Sequence, residues 1–246
     1  ILSKAGCNLG ACHAKASGQG GMKLSVFAFD PKSDYLELVK DARARRVFPA
    51  LPEESLILKK PTVSVQHEGG QRFEAGSPQF NTIAEWIRQG APYEVPGEPL
   101  LTGIEVSPAE HQYSKDGSQQ LKIFARFNNG STRDVTALAD YASNDKLLAT
   151  VGETGLVHAG SDSGEAVIIA RYLGHVAISR VNIPTDKLLP DAAYAKLPVR
   201  NEIDRLVYAR LKKLGFLPAD ECTDAEFLRR ASLDATGRLP TVGETR

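Results

Sequence analysis

Cysteine, methionine and tryptophan are scarce in this chain: 246 residues contain three Cys, one Met and one Trp. Cys7 and Cys12 lie near the start and Cys222 far along, so the thiols do not form the framework of a disulfide-stapled domain. Net charge is absent as well, because 30 Lys and Arg offset 30 Asp and Glu. Without a global field, nothing draws the whole chain onto nucleic acid or an anionic membrane, and partners must be chosen by local sites. No uninterrupted apolar run approaches the roughly 18 residues of a membrane-spanning helix. The opening Ile1-Leu2-Ser3-Lys4 has no basic leader followed by an apolar stretch, which leads us to expect a removed signal or a piece of a longer chain. What is present, 42% apolar and 24% charged residues with 21 Gly and 14 Pro, describes a soluble globular chain of two or three domains.

Two Pro-rich seams divide it. The first, Ala91-Pro92-Tyr93-Glu94-Val95-Pro96-Gly97-Glu98-Pro99, ends a helical-looking segment, and the second runs from Pro184 through Pro190 to Pro198. The expected organisation is therefore a helical module over 1–92, a linker over 93–101, a β-sandwich over 102–184, a linker over 185–198, and over 199–246 the helical start of a truncated domain. The fold class is multidomain α plus β.

In the first module a helix is predicted after Asp30-Pro31, with Tyr35, Leu36, Leu38 and Val39 inward. A second spans Pro78 to Gln89, capped by Ser77, stopped by Gly90, and apolar along Phe80, Ile83, Trp86 and Ile87. The long irregular stretch between them is of the kind that wraps a ligand or cofactor. In the middle module Leu121, Ile123, Ala125 and Phe127 alternate along a strand that ends at the turn Asn128-Asn129-Gly130, and further strands fall at 155–157, 166–172 and 176–183. The third module opens with a helix over 199–214, striped by Ile203, Leu206, Val207, Tyr208, Leu211 and Leu214. A second helix starts at Thr223, where Thr223 and Glu226 form a capping box and Cys222 and Phe227 occupy the staple positions.

Chemistry concentrates in Cys7-Asn8-Leu9-Gly10-Ala11-Cys12-His13. Two thiols followed by an imidazole is the arrangement that tethers a haem through both sulfurs while the histidine reaches the iron. The spacing of four residues between the thiols is wider than the usual two and requires a bulged loop, which Gly10 permits. A Cys7–Cys12 disulfide, or a zinc site on both thiols and His13 with a fourth ligand, are the competing readings of the same residues. Asp162-Ser163-Gly164-Glu165 and Asn128-Asn129-Gly130 read as hairpin turns rather than calcium ligands, and no catalytic grouping stands out, so no catalytic residue is assigned.

Residues 1–92 resemble the planctomycete cytochrome c family through Gly6-Cys7-Asn8-Leu9-Gly10-Ala11-Cys12-His13, Gly20-Gly21-Met22-Lys23-Leu24-Ser25, Phe29-Asp30-Pro31, Ser55-Leu56-Ile57-Leu58-Lys59-Lys60-Pro61, His67-Glu68-Gly69-Gly70 and Trp86-Ile87-Arg88-Gln89-Gly90-Ala91-Pro92. Residues 102–184 resemble a group 2 bacterial immunoglobulin-like domain through Gly103-Ile104-Glu105-Val106-Ser107-Pro108, Asp134-Val135-Thr136 and Gly155-Leu156-Val157. Residues 199–246 resemble the start of a cytochrome-associated helical domain of unknown function, with Ile203-Asp204, Phe227-Leu228-Arg229-Arg230 and Asp234-Ala235-Thr236-Gly237-Arg238-Leu239-Pro240.

The first resemblance implies a periplasmic or otherwise exported c-type cytochrome with one covalent haem c, transferring single electrons with a redox partner protein that the sequence does not identify. Cys7 and Cys12 would anchor the macrocycle and His13 would be the proximal ligand. His67 is favoured as the distal ligand over Met22 or an open site, which would give a metal site of His13 and His67. Phe27, Phe29, Phe80 and Trp86 would line the cavity, and Arg72, Arg45 or Arg46 could meet the propionates. The rival reading is a non-haem module that contacts polysaccharide or protein through the sandwich, with a disulfide- or zinc-pinned N-terminal cap. A third is a haem sensor or enzyme with an open distal face. None of the readings involves nucleic acid or a membrane span.

Overall fold

The computed structural model describes residues 1–245. Two compact units are present, Ile1–Pro184 and a second from Thr185 onward. The first contains a helical portion with long ordered loops and an all-β portion.

In the helical portion, Asp30 accepts a hydrogen bond from the Ser33 amide and Pro31 pre-sets the first turn, so α1 (Pro31–Tyr35) begins where the sequence places it. It continues as a π-turn over Leu36–Lys40. That wider turn shifts the inward face: Leu38 and Val39 are buried, whereas Leu36, expected inside, is exposed. A short helix, α2 (Leu56–Lys59), buries Leu58 completely. In α3 (Pro78–Arg88) the Ser77 hydroxyl caps the Phe80 amide, and Ile83, Ala84 and Ile87 face inward. These residues join Leu24, Val47, Phe73 and Ala91 in one core, with Met22, Phe80 and Trp86 packed at its edge. The loop before α1 is fixed by Asp34, whose carboxylate accepts from both the amide and the hydroxyl of Ser25.

The β portion holds ten strands in three sheets. β1 (Leu101–Ser107) pairs with β4 (Lys122–Phe127), which pairs with β5 (Thr132–Asp134). β2 (Glu110–Gln112), β10 (His175–Ile183), β9 (Gly164–Tyr172) and β6 (Asp140–Ser143) form the second sheet in that order. β3 (Ser118–Gln120), β8 (Leu156–Ala159) and β7 (Ala149–Val151) form the third. The inward set Leu121, Ile123 and Ala125 is fully buried, as the period-two pattern requires. β9 and β10 are joined by Leu173-Gly174, both at positive φ, the two-residue loop whose twist matches a hairpin.

In the second unit, α4 (Asp191–Ala195) precedes α5 (Glu202–Leu214). α5 starts later than the apolar stripe suggests because the Asn201 side chain caps the Asp204 amide. It ends at Gly215, at φ +79°, where a Cβ would meet the Thr185 hydroxyl. α6 (Asp224–Thr236) carries the expected capping box in full. The expected staple is not buried: Cys222 and Phe227 are both exposed, so the cap rests on its hydrogen bonds. Ile203, Leu206 and Val207 are exposed too, and only Leu214 of the stripe is buried. The last short helix is α7 (Val242–Thr245).

Candidate functional site

Two places in the first unit carry groups that could act on another molecule. The first is the Cys/His loop cluster. The His13 amide donates to the Cys7 carbonyl at 3.1 Å, closing the loop between the two thiols, and the Cys12 and Ala14 amides both return to the Leu9 carbonyl. Cys7 is buried, which pushes its thiol above the usual range, although the Arg72 guanidinium nearby works in the opposite direction. Cys12 is half-buried, with the Arg72 Nη2 3.7 Å from its sulfur, and both thiols are free. Asn8 is buried with its amide nitrogen on the Ser3 hydroxyl and its oxygen without a partner.

His13 and His67 come together across this loop, their rings near-parallel at 9° with centroids 6.4 Å apart. Each ring is held from behind by its Nδ1: His13 against the carbonyls of Gln19 and Met22, His67 against that of Gly70 at 2.8 Å. This is the backbone tethering that orients a ligating imidazole and leaves Nε2 for another partner. Burial lowers the His13 pKa, and the neighbouring His67 and Arg46 push the same way. A Cβ on Gly69 would stand 2.9 Å from the His67 ring, so a side chain there would displace the ring from its present position. The residues expected around a haem are thus partly assembled: the two imidazoles face one another, while one thiol is buried and the other lies beside Arg72. Among the described residues no group of three or more His, Cys, Asp or Glu could hold a metal ion.

The remaining expected residues are scattered. Met22 and Trp86 pack on the core, Trp86 donating to the Pro92 carbonyl. Phe29 is 83% exposed. Arg46 is buried, paired with Glu37 at 3.0 Å and donating to the Gly21 carbonyl, so it braces the fold.

The second place is the outer face of β9 and β10, which the sequence reading did not single out. Val176 and Ile178 are 58% and 42% exposed, and Leu173 in the adjoining turn is also open. Ile178 stands opposite Ile169 and Arg180 opposite Val167, so the face reads as an aliphatic strip bordered by Arg180 and, opposite Val176, Arg171. The signal was available in the period of β10, where Val176 and Ile178 fall on the side opposite Ser179, Val181 and Ile183. A wide cleft of about 520 Å³ lies elsewhere on the sandwich, lined by Gln120, Lys122, Asp134, Thr136, Leu138 and Thr154. Its polar groups are largely engaged, Gln120 with the Leu121 and Thr154 carbonyls and Asp134 with Thr136.

The β portion of the chain has an immunoglobulin-like match. Residues 101–171 match the bacterial Ig-like domain (group 2), and residues 202–246 match PSCyt2, a protein of unknown function (DUF1549). Among curated proteins, the chain is similar to ice-binding protein 1 of Shewanella frigidimarina (strain NCIMB 400), 34% identical over 70 residues, covering 28% of this chain and 8% of that one. It is also similar to an S-layer-related protein of Niallia circulans, 31% identical over 86 residues, covering 35% of this chain and 5% of that one. The chain thus spans less than a tenth of either relative. Solved structures with a likeness include domains 4 and 5 of the S-layer protein SbsC, with a TM-score of 0.31, 18% identity, and coverage of 35% of this chain and 53% of that chain. An intimin mutant of EHEC O157:H7 has a TM-score of 0.27 and 16% identity, with coverage of 47% and 69%.

These findings correct the expectation of an electron-transferring c-type cytochrome. Neither matched family is a cytochrome c family, and the curated relatives are an ice-binding and an S-layer-related protein. Neither match reaches residues 1–92, and neither shows a cytochrome c module there. Among the described residues no helix is long and apolar enough to cross a membrane.

Proposed function

We propose that this chain is an exported surface protein whose immunoglobulin-like sandwich makes non-haem contact with another protein, and that the helical N-terminal portion is a cap on it. The carrying observation is the aliphatic strip of Val176, Ile178 and Leu173 on the outer face of β9 and β10. Val176 and Ile178 share one face of the strand with Leu173 in the adjoining turn, and apolar residues grouped between polar ones are a feature of interaction surfaces. The strip presents branched aliphatic side chains between two arginines and no aromatic platform, a composition suited to a protein more than to a sugar ring. The Ig-like match and the names of the two curated relatives support the surface setting.

Within this reading the residues around Cys7, Cys12, His13, Met22, His67 and Arg72 form the knot of the cap, tying the loop after Cys7 to the stretch over 67–72. Both readings are tested on the full chain. Binding of labelled protein to the envelope of producing cells should fall about tenfold or more in Ile178→Asp, the loss of a central buried anchor, and should vanish when surface proteins are digested. Binding that survives proteolysis and disappears on glycan digestion would assign the contact to polysaccharide and overturn the protein reading.

A further inference from the structure

The helical portion touches the sandwich at two separated points. At one, the Lys4 ammonium donates to the Ala139 carbonyl at 2.8 Å and to the Glu153 carbonyl, while lying 5.3 Å from the centre of the Tyr141 ring. Lys4, Asp140, Tyr141, Val151, Gly152 and Glu153 line a recess of about 130 Å³. At the other, the Arg171 guanidinium lies 4.6 Å from the centre of the Phe27 ring, and the Ala28 carbonyl approaches Gly174 in the hairpin loop. Phe27 and Ala28 are both at positive φ, a conformation that side-chain-bearing residues hold only where their surroundings over-determine it. Lys4 and Phe27 lie outside the helical cluster and Arg171 outside the sandwich clusters, whereas Ala139 and Tyr141, which Lys4 meets, belong to the sandwich core or pack on it.

We propose that the rim made by residues 139–141, residues 152–153 and the β9–β10 turn is a docking surface for the chain's own N-terminal portion, so that the two modules open as one cooperative unit. The chemistry suits a permanent rather than a passing partner. Lys4 places a cation on two backbone carbonyls and an aromatic face at once, and Arg171 uses the complementary pairing on Phe27. Asp140, half-buried between Lys4 and Arg171, supplies the balancing charge, with the Ile1 amine as the other cation facing it. Arg171 and the Leu173-Gly174 turn border both this rim and the apolar strip, but the inference does not need the surface-contact reading, because its test reads opening of the chain and not binding of a partner.

Native-state hydrogen exchange on the full chain, read by mass spectrometry across a denaturant series, tests it. In the unaltered protein, peptides from 1–92 and from 101–183 should lose protection at one denaturant concentration. In the double variant Lys4→Met, Phe27→Ala, the 1–92 peptides should exchange at least about tenfold faster while the sandwich peptides hold. Fluorescence of Trp86, the single tryptophan, should report the same separation. If the double variant does not fold, Arg171→Gln alters only the sandwich side and must give the same split. Separate loss of protection in the unaltered chain, or coincident loss in the variants, would overturn the proposal.

Discussion

At the scale of single residues, burial decides what the polar groups near the N-terminus can do. The Cys7 thiol is pushed up by desolvation, whereas Cys222 stands in the open at the start of α6. Since the thiolate is the reactive species, alkylation should label Cys222 rapidly and Cys7 only on unfolding. Equal rates, followed by peptide mapping, would contradict the placement of Cys7. The His13 imidazole, lowered by burial, gives a pH dependence whose sign follows from linkage. Its folded-state pKa lies below the ordinary 6.5, so the unfolded chain binds more protons in that range. Its contribution is complete above 6.5 and is lost as pH falls. The Trp86 unfolding midpoint should therefore drop between neutral and mildly acidic pH, with a smaller drop in His13→Gln. A midpoint that rises on acidification would reject this account. Gly69→Ala, which sets a methyl against the His67 ring, should loosen the same loop and lower that midpoint at every pH.

At the scale of elements, the boundaries that sequence reasoning reaches are those with a local cause. Ser77 with Pro78, Thr223 with Glu226, and Asn128-Asn129-Gly130 each declare themselves through short-range hydrogen bonding or required backbone angles, and each occurs as expected. Thr223→Ala should accordingly cost the second unit about 1 kcal/mol, visible as a lower helix melting midpoint. An unchanged midpoint would mean that the cap contributes nothing. Strands β2, β3, β5, β6 and β7 escape such reading because they are only three or four residues long, the first three of them polar throughout, and are held by neighbouring strands rather than by their own pattern. Leu36 escapes because a π-turn changes the inward face in mid-helix. Ile123, by contrast, is fully buried in β4 as its alternation requires, and Ile123→Ala should cost about 3 kcal/mol in chemical denaturation of the sandwich. The pairing of His13 with His67 was readable in part, as a loop histidine beside two glycines. The reason for Gly69, making room for the ring of His67, belongs to tertiary geometry and leaves no mark in the sequence.

At the scale of the whole molecule, the proposed function is carried by what the sandwich leaves open rather than by the motif that dominates the sequence. The Cys/His loop draws attention because its residue types are rare in the chain, yet the family matches fall on the sandwich and the C-terminal helices. The strip on β9 and β10 is made of common residues, and it becomes visible only when the hairpin is formed and Val176 and Ile178 stand together on its exposed face. The decisive comparison sets Ile178→Asp beside Leu239→Asp, a still more exposed apolar position in the second unit, in equilibrium binding of the labelled chain to surface proteins of producing cells. The account predicts binding reduced about tenfold or more by Ile178→Asp and left intact by Leu239→Asp. Equal binding by the two variants and the unaltered chain would contradict it.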